Sequence, residues 1–257
     1  MFNMLLSVLY IILSGIALPM GGIQMQKMWH NQLGDVYSVG LGSAACLGGA
    51  LAAMLGWSIP VGAYLICLSA AILGAVFYVF LNNTRFITFG MLFGSLIGSF
   101  GTIVANNTTP ENLQLYYRWA GCSFKVSGYN HYIYYLSFLL FAIGLVSAWQ
   151  FVRNRPHSHV YYFLNLNLLV ISVISVCGIV GMISLTVPNL VRIIFKNCSL
   201  LKESLWSILI STALLAVTFI ITECSKGFYL PISATMSIIA FPMVIFLMKS
   251  EKDHPIQ

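Results

Sequence analysis

Apolar stretches of about twenty residues, the length a helix needs to cross the hydrocarbon core of a bilayer, recur along the whole of this chain, and its few charges fall between them. No other feature restricts the possible folds as strongly. A soluble domain has roughly a quarter of its residues charged; here the share is 7%, against 59% hydrophobic. That is too little charge to give this chain a water-facing exterior. Most of its surface must face lipid, and backbone polar groups in lipid must be paired internally, so the chain is expected to be an all-α, multi-pass membrane protein.

Hydropathy places the spans at 4–26, 36–57, 60–81, 86–105, 132–151, 160–185, 205–222 and 231–248. A short amphipathic element, 189–195, follows Pro188 and reads as a short or re-entrant helix. The bundle is therefore expected to hold about 8–9 crossing helices in one transmembrane domain over 1–257. If the element after Pro188 crosses back, Lys27, Arg85, Arg153, Arg155, Arg192, Lys196, Lys202, Lys249 and Lys252 share one side. That is 9 of the 12 basic residues, and the positive-inside rule makes that side cytoplasmic, with the N-terminus outside. The net charge of +6 is thus read as topology. The basic residues form no dense cluster of the kind nucleic acid would need. The apolar N-terminus lacks a basic leader region and is read as a retained span.

Gly90, Gly94, Gly98 and Gly101 recur at three- and four-residue intervals in the fourth span, and Gly40, Gly42, Gly48 and Gly49 crowd the second. Such stripes let helix backbones approach closely in lipid. Ser95, Ser99 and Thr102 lie among the glycines of the fourth span and make it a candidate border of a polar pathway. The segment 106–131 is the longest outside the membrane, and Leu113, Tyr116 and Tyr117 suggest a short interfacial helix within it. No nucleophile elbow, zinc-protease motif or phosphate loop is present. Catalytic residues are not expected. His157 and His159 offer two imidazoles without a third ligand, and neither a metal site nor a cofactor is expected.

Three stretches, in order, resemble the FecCD-type permeases of importers for iron–siderophore complexes, haem and cobalamin. The first holds Gly22, Gln26, Asn31, Leu33, Asp35, Gly40 and Ser43, similar to that family's GxxxQ, NPLA(D/E)P and LGxS patterns, with Gln32 and Val36 where the family has prolines. The second holds Gly178, Gly181, Pro188 and Arg192 at the spacing of GxxGFxGLxxPHxxR, with Asn189 in place of the histidine. The third is Leu230–Pro231 with Ser233, and Pro242 eleven residues after Pro231, similar to LPxGxxTxxxGxP. Pro188 and Pro231 interrupt hydrogen bonding where apolar blocks break, which a membrane tolerates against protein or a water-filled cavity.

The resemblance implies a BtuC-like bundle in the inner cell membrane, a homodimer or pseudo-dimer of two permeases around a central path. It also implies a separate ABC ATPase on the inside and a substrate-binding protein on the outside. Ser95, Ser99, Thr102, Pro188, Asn189, Pro231 and Ser233 are then candidates for the path or its gate. Family members begin one helix earlier and carry a pair of cytoplasmic coupling helices between the fifth and sixth spans. Here that link is only 152–159, in which Arg153 and Arg155 are the candidate ATPase contacts. Thr218 and Thr222 stand where the family's penultimate helix has charged residues, and Tyr229 where a glutamate often precedes Leu-Pro. The related zinc/manganese permeases fit the length better but carry a Gly-Asp-x-x-x-His signature, and no histidine follows Gly34–Asp35. A reduced membrane protein that keeps the fold as a structural partner is the reading from another class.

Overall fold

The computed structural model describes residues 2–81, 83–125, 128–153, 158–195, 198–225 and 230–253, and the side chains of all of these except 2–3, 83–84 and 243–253. They form ten helices and, among the described residues, no strand. These are α1 (Phe2–Met28), α2 (Leu41–Leu55), α3 (Ile59–Phe80), α4 (Asn83–Asn106), α5 (Pro110–Ala120), α6 (His131–Val152), α7 (His159–Cys177), α8 (Ile183–Ile194), α9 (Leu200–Cys224) and α10 (Ile232–Asp253). Six are long and apolar enough to span a bilayer: α1, α3, α4, α6, α7 and α9. Apolar helices α2, α8 and the Ile232–Pro242 part of α10 are shorter.

The bundle is layered around α1 and α7. About 67% of the α1 span and 72% of α7 are buried, against 17% for α4, 22% for α9 and 28% for α3, so the first two form the centre and the others face outward. α1 packs on α9, α7 and α8, α7 on α6 and α3, and α2 is held between α3 and α4.

Backbone approach sets the α2 contacts. A Cβ placed on Gly48 would lie 2.2 Å from the Gly62 carbonyl oxygen, and one on Gly62 would lie 2.1 Å from that of Gly48. Gly94 meets Gly40 in the same way, a Cβ on either lying 3.0 Å from the other's Cα. The glycine stripes expected to be contact faces are the surfaces by which α3 and α4 clasp α2.

Pro19 of α1 and Pro188 of α8 are buried in the interior of their helices. A proline lacks the N–H that would bond the carbonyl four residues back. For Pro19 of α1 that carbonyl is Gly15, and Ser211 Oγ of α9 donates to it at 2.5 Å. For Pro188 of α8 it is Ser184, and Gln26 Nε2 of α1 reaches it at 3.4 Å. Each freed carbonyl is taken by a side chain of a neighbouring helix, as lipid requires.

The structure corrects the expected sixth span, 160–185, and the short element expected to follow Pro188. The helix stops at Cys177, and a non-helical stretch separates it from α8, which carries Pro188 in its interior. The break lies ten residues upstream of the proline, at Gly178. Gly178 has φ 87, and a Cβ there would sit 1.8 Å from the Trp119 carbonyl oxygen, so only glycine fits. Met182, with φ 64, turns the chain into α8. Pro188 breaks nothing because Gln26 replaces its missing hydrogen bond.

The second span is also shorter than expected, because residues 31–40 form turns before α2 begins. The interfacial helix exists as α5, but Tyr116 and Trp119 point inward and Tyr117 outward. Trp119 Nε1 donates to the Ser175 carbonyl of α7 at 3.1 Å, anchoring α5 to the bundle. Among the described residues no helix lies between α6 and α7.

Candidate functional site

Two regions hold the residues singled out from the sequence. The first is a buried polar junction at the end of the bundle that the basic residues mark as cytoplasmic. Arg192, in the last turn of α8, extends its guanidinium to three acceptor oxygens. Nε donates to Glu203 Oε1 at 2.7 Å, and Nη2 lies 2.7 Å from the same oxygen. Nη1 donates to Gln26 Oε1 at 2.6 Å and to Asn189 Oδ1 at 2.9 Å. Glu203, in the first turn of α9, is 4% exposed. Lys27 Nζ stands 3.7 Å from its other oxygen. One carboxylate thus joins α1, α8 and α9, and a planar guanidinium suits it because its donors fan out in fixed directions.

The turns at 31–40 close over this junction. Asn31 Oδ1 accepts from the Leu33 N–H at 2.9 Å, and its carbonyl accepts from the Gly34 N–H at 3.0 Å, which folds the turn. Leu33 is exposed. Asn189 Nδ2 donates to the Gln32 carbonyl and to the Leu185 carbonyl, both at 2.9 Å. Ser184 Oγ donates to Asp35 Oδ1. Burial pushes the Asp35 carboxyl above the usual carboxylate range; the Ser184 hydroxyl and the N–H groups of Val36 and Tyr37 pull it back. The first and second matched stretches therefore meet through Gln26, Asp35, Asn189 and Arg192. Glu203 and Ser184 complete the junction and were not anticipated. Glu203 is one of only six acidic residues in the chain, and that rarity is the signal that could have found it.

The second region runs from α4 to the start of α10. Ser95, Ser99 and Thr102 are exposed on α4, on a face other than the glycine stripe. Ser99 Oγ and Thr102 Oγ1 donate to carbonyls of their own helix, at 3.0 Å each. Ser43 of α2 lies beneath the stripe, 3.6 Å from Cβ positions on Gly94 and Gly98. At the α10 start, the Ser233 N–H donates to the Gly121 carbonyl at 3.1 Å, and Pro231 packs on Gly121. Ser237 of α10 lies against Gly181. The second and third stretches thus meet at the break between α7 and α8, where the end of α5 is also packed. Pro188 is buried, and Pro242 is exposed on α10. Arg153 caps α6 and is exposed; Arg155 lies outside the described residues. Among the described residues no three His, Cys, Asp or Glu side chains are grouped to hold a metal ion.

A family model for the FecCD transport family matches residues 3–154 and 156–250. The chain belongs to the FecCD transport family. It is a multi-pass permease of the inner cell membrane.

Among its relatives is a Helicobacter pylori protein assigned as an iron chelatin transport system permease, 22% identical over 94% of this chain and 79% of the relative. A Bacillus subtilis ABC transporter permease, YvrB, is 25% identical over 71% of this chain and 59% of its own. Among solved structures, one assigned as a metal-chelate type ABC transporter in an inward-facing conformation superposes with a TM-score of 0.81. That match has 18% identity and covers 96% of this chain and 85% of the other. PsaBC from Streptococcus pneumoniae, solved with a Fab, gives a TM-score of 0.58 at 14% identity, covering 96% of this chain and 91% of its own. These likenesses are of fold: a BtuC-like all-helical permease.

Proposed function

We propose that this chain is the membrane subunit of an ABC importer that carries an iron chelate, and that two copies surround one path. The observation that carries the reading is the family match along nearly the whole chain, together with an iron chelatin permease relative aligned over 94% of it. A cobalamin or haem cargo belongs to the same family class. The zinc/manganese reading is the alternative; the PsaBC likeness, at a TM-score of 0.58, is the weaker of the two structural matches above and speaks to fold alone.

In this reading the permease moves a solute and does not transform it. A separate ABC ATPase energises it from inside, and a binding protein delivers cargo outside. The exposed Ser95, Ser99 and Thr102 stripe of α4 faces its counterpart in the second copy across the path, with Pro231 and Ser233 at the outer rim. Pro188 and Asn189 stand at the inner end, where the junction of Gln26, Asp35 and Arg192 closes the path from the cytoplasm. The remaining matched positions, Asn31, Leu33, Gly40, Ser43, Gly178, Gly181 and Pro242, shape that frame. Arg153 and Arg155 form the contact to the ATPase; Arg153→Glu with Arg155→Glu is expected to abolish its co-purification.

The test is chelate-stimulated ATP hydrolysis by the chain and its ATPase in liposomes with the binding protein present. Stimulation by a ferric siderophore or haem and not by zinc or manganese ions supports the reading. Stimulation by the free metal ions alone supports the alternative. No stimulation by either contradicts both.

A further inference from the structure

One surface feature lies outside that transport path and shares only Arg153 with the ATPase contact proposed above. α1, α6 and α9 enclose a groove of about 480 Å³ on the outer face of the bundle. Its walls include Met20 of α1, Leu145, Trp149 and Val152 of α6, and Leu205 and Ile208 of α9. The described lining is almost wholly apolar: besides the Trp149 indole it holds one polar side chain, Ser204, whose hydroxyl donates to the Leu200 carbonyl of its own helix at 2.8 Å. Trp149 is 50% exposed and Leu205 54%, so the groove opens sideways toward the bilayer.

Each of the three walls carries a base at the same, cytoplasmic end. On α6 it is Arg153, whose guanidinium carbon lies 4.6 Å from the centre of the Trp149 ring. On α9 it is Lys202, exposed in the first turn beside Leu201, itself a lining residue. On α1 it is Lys27, two turns beyond Met20, with 42% of its side chain exposed. Among the described residues the acid nearby is Glu203, shared between Arg192 and Lys27, so the described rim keeps an excess of positive charge. Anionic headgroups populate the cytoplasmic leaflet, and each Lys or Arg at that surface attracts them by ~1 kcal/mol, about fivefold in affinity. A tryptophan at headgroup depth fits the same placement.

The geometry points to a binding site for one anionic phospholipid of the cytoplasmic leaflet: an acyl chain lies in the groove, and the phosphate sits among Arg153, Lys202 and Lys27. The apolar groove and the charged rim select together. A free phosphate lacks the chain, and a zwitterionic lipid lacks the net charge. The site rests on the membrane placement of the bundle and is independent of the cargo.

The full-length chain, purified in mild detergent, is titrated separately with phosphatidylglycerol, phosphatidylcholine of the same acyl chains, and glycerol phosphate. Bound molecules are counted by native mass spectrometry. One retained phosphatidylglycerol is expected, preferred over phosphatidylcholine by roughly 25-fold from two free bases, with no retention of glycerol phosphate. Arg153→Gln with Lys202→Gln is expected to bring that preference to within a few-fold. Val146→Trp alters an outward-facing lining residue, 57% exposed, and leaves the charges in place. It is expected to lower retention of both lipids while leaving the melting temperature unchanged. Equal retention of the two lipids, retention unchanged in both variants, or binding of glycerol phosphate as tight as the lipid overturns the site. So does a concentration-dependent dimer that Val146→Trp abolishes, which would assign the groove to a second copy of the chain.

Discussion

The side chain with most at stake is Glu203. It is 4% exposed, faces Arg192 at 2.7 Å, and holds three helices together. Removing one partner of a buried pair strands the other charge, which costs about 3–5 kcal/mol, whereas replacing both with apolar groups of similar volume is often close to neutral. Arg192→Ala and Glu203→Ala are therefore each expected to lower the thermal unfolding midpoint in detergent strongly. Arg192→Met with Glu203→Leu is expected to recover much of the loss, and strict additivity of the two single changes would contradict the pairing. Gln26, Asp35, Asn189 and Arg192 could be selected from the family resemblance, but not their purpose. The motif pattern gives positions along a chain, and the junction exists only once α1, α8 and α9 converge. Glu203 stayed hidden because it belongs to none of the matched stretches. Its partner is eleven residues away, across the turn between two helices.

Helix breaks follow backbone geometry more closely than hydropathy. Residues 160–185 read as one apolar run, yet the chain leaves the helix at Gly178, because Trp119 of α5 leaves no room for a side chain there. An apolar profile is blind to such a contact, whereas Pro188 is a breaker visible in the sequence itself. The compensation at the central prolines makes a prediction at this scale. Ser211→Ala removes the donor to the Gly15 carbonyl, at a cost of about 1 kcal/mol. Adding Pro19→Ala supplies a backbone N–H for that carbonyl, so Ser211→Ala should be nearly silent in that background. The reading fails if chemical denaturation finds Ser211→Ala equally costly with and without Pro19. The glycine stripes were legible because close approach needs small residues at helical spacing. Gly48→Leu would drive a side chain into the Gly62 carbonyl and should cost ~1–3 kcal/mol or more. The same change at Gly56, which has open space around it but φ 70, should act only through backbone strain.

For the whole molecule, composition alone indicates lipid as the solvent, and six helices long and apolar enough to cross a bilayer agree with it; the charge count predicts which ends face the cytoplasm. The first follows from the cost of leaving backbone polar groups unpaired in lipid, the second from the bias of Lys and Arg toward cytoplasmic loops. How the two copies proposed above would meet depends on surface shape, which a single chain's periodicity does not carry. The exposed α4 stripe nevertheless makes the arrangement testable. Ser99→Cys is expected to form an intermolecular disulfide on mild oxidation in membranes, whereas a cysteine at Ile72, exposed on α3, is not; equal cross-linking at both positions would contradict a pathway face on α4. The central claim is that this bundle transports an iron chelate when driven by a separate ATPase. Its most direct measurement is accumulation of radio-iron, presented as a siderophore or haem complex, in proteoliposomes containing the chain, its ATPase and its binding protein. The account predicts ATP-dependent accumulation against a gradient, abolished by Ser99→Trp without loss of folded protein. A fully folded, ATP-hydrolysing complex that accumulates none of these chelates would contradict it.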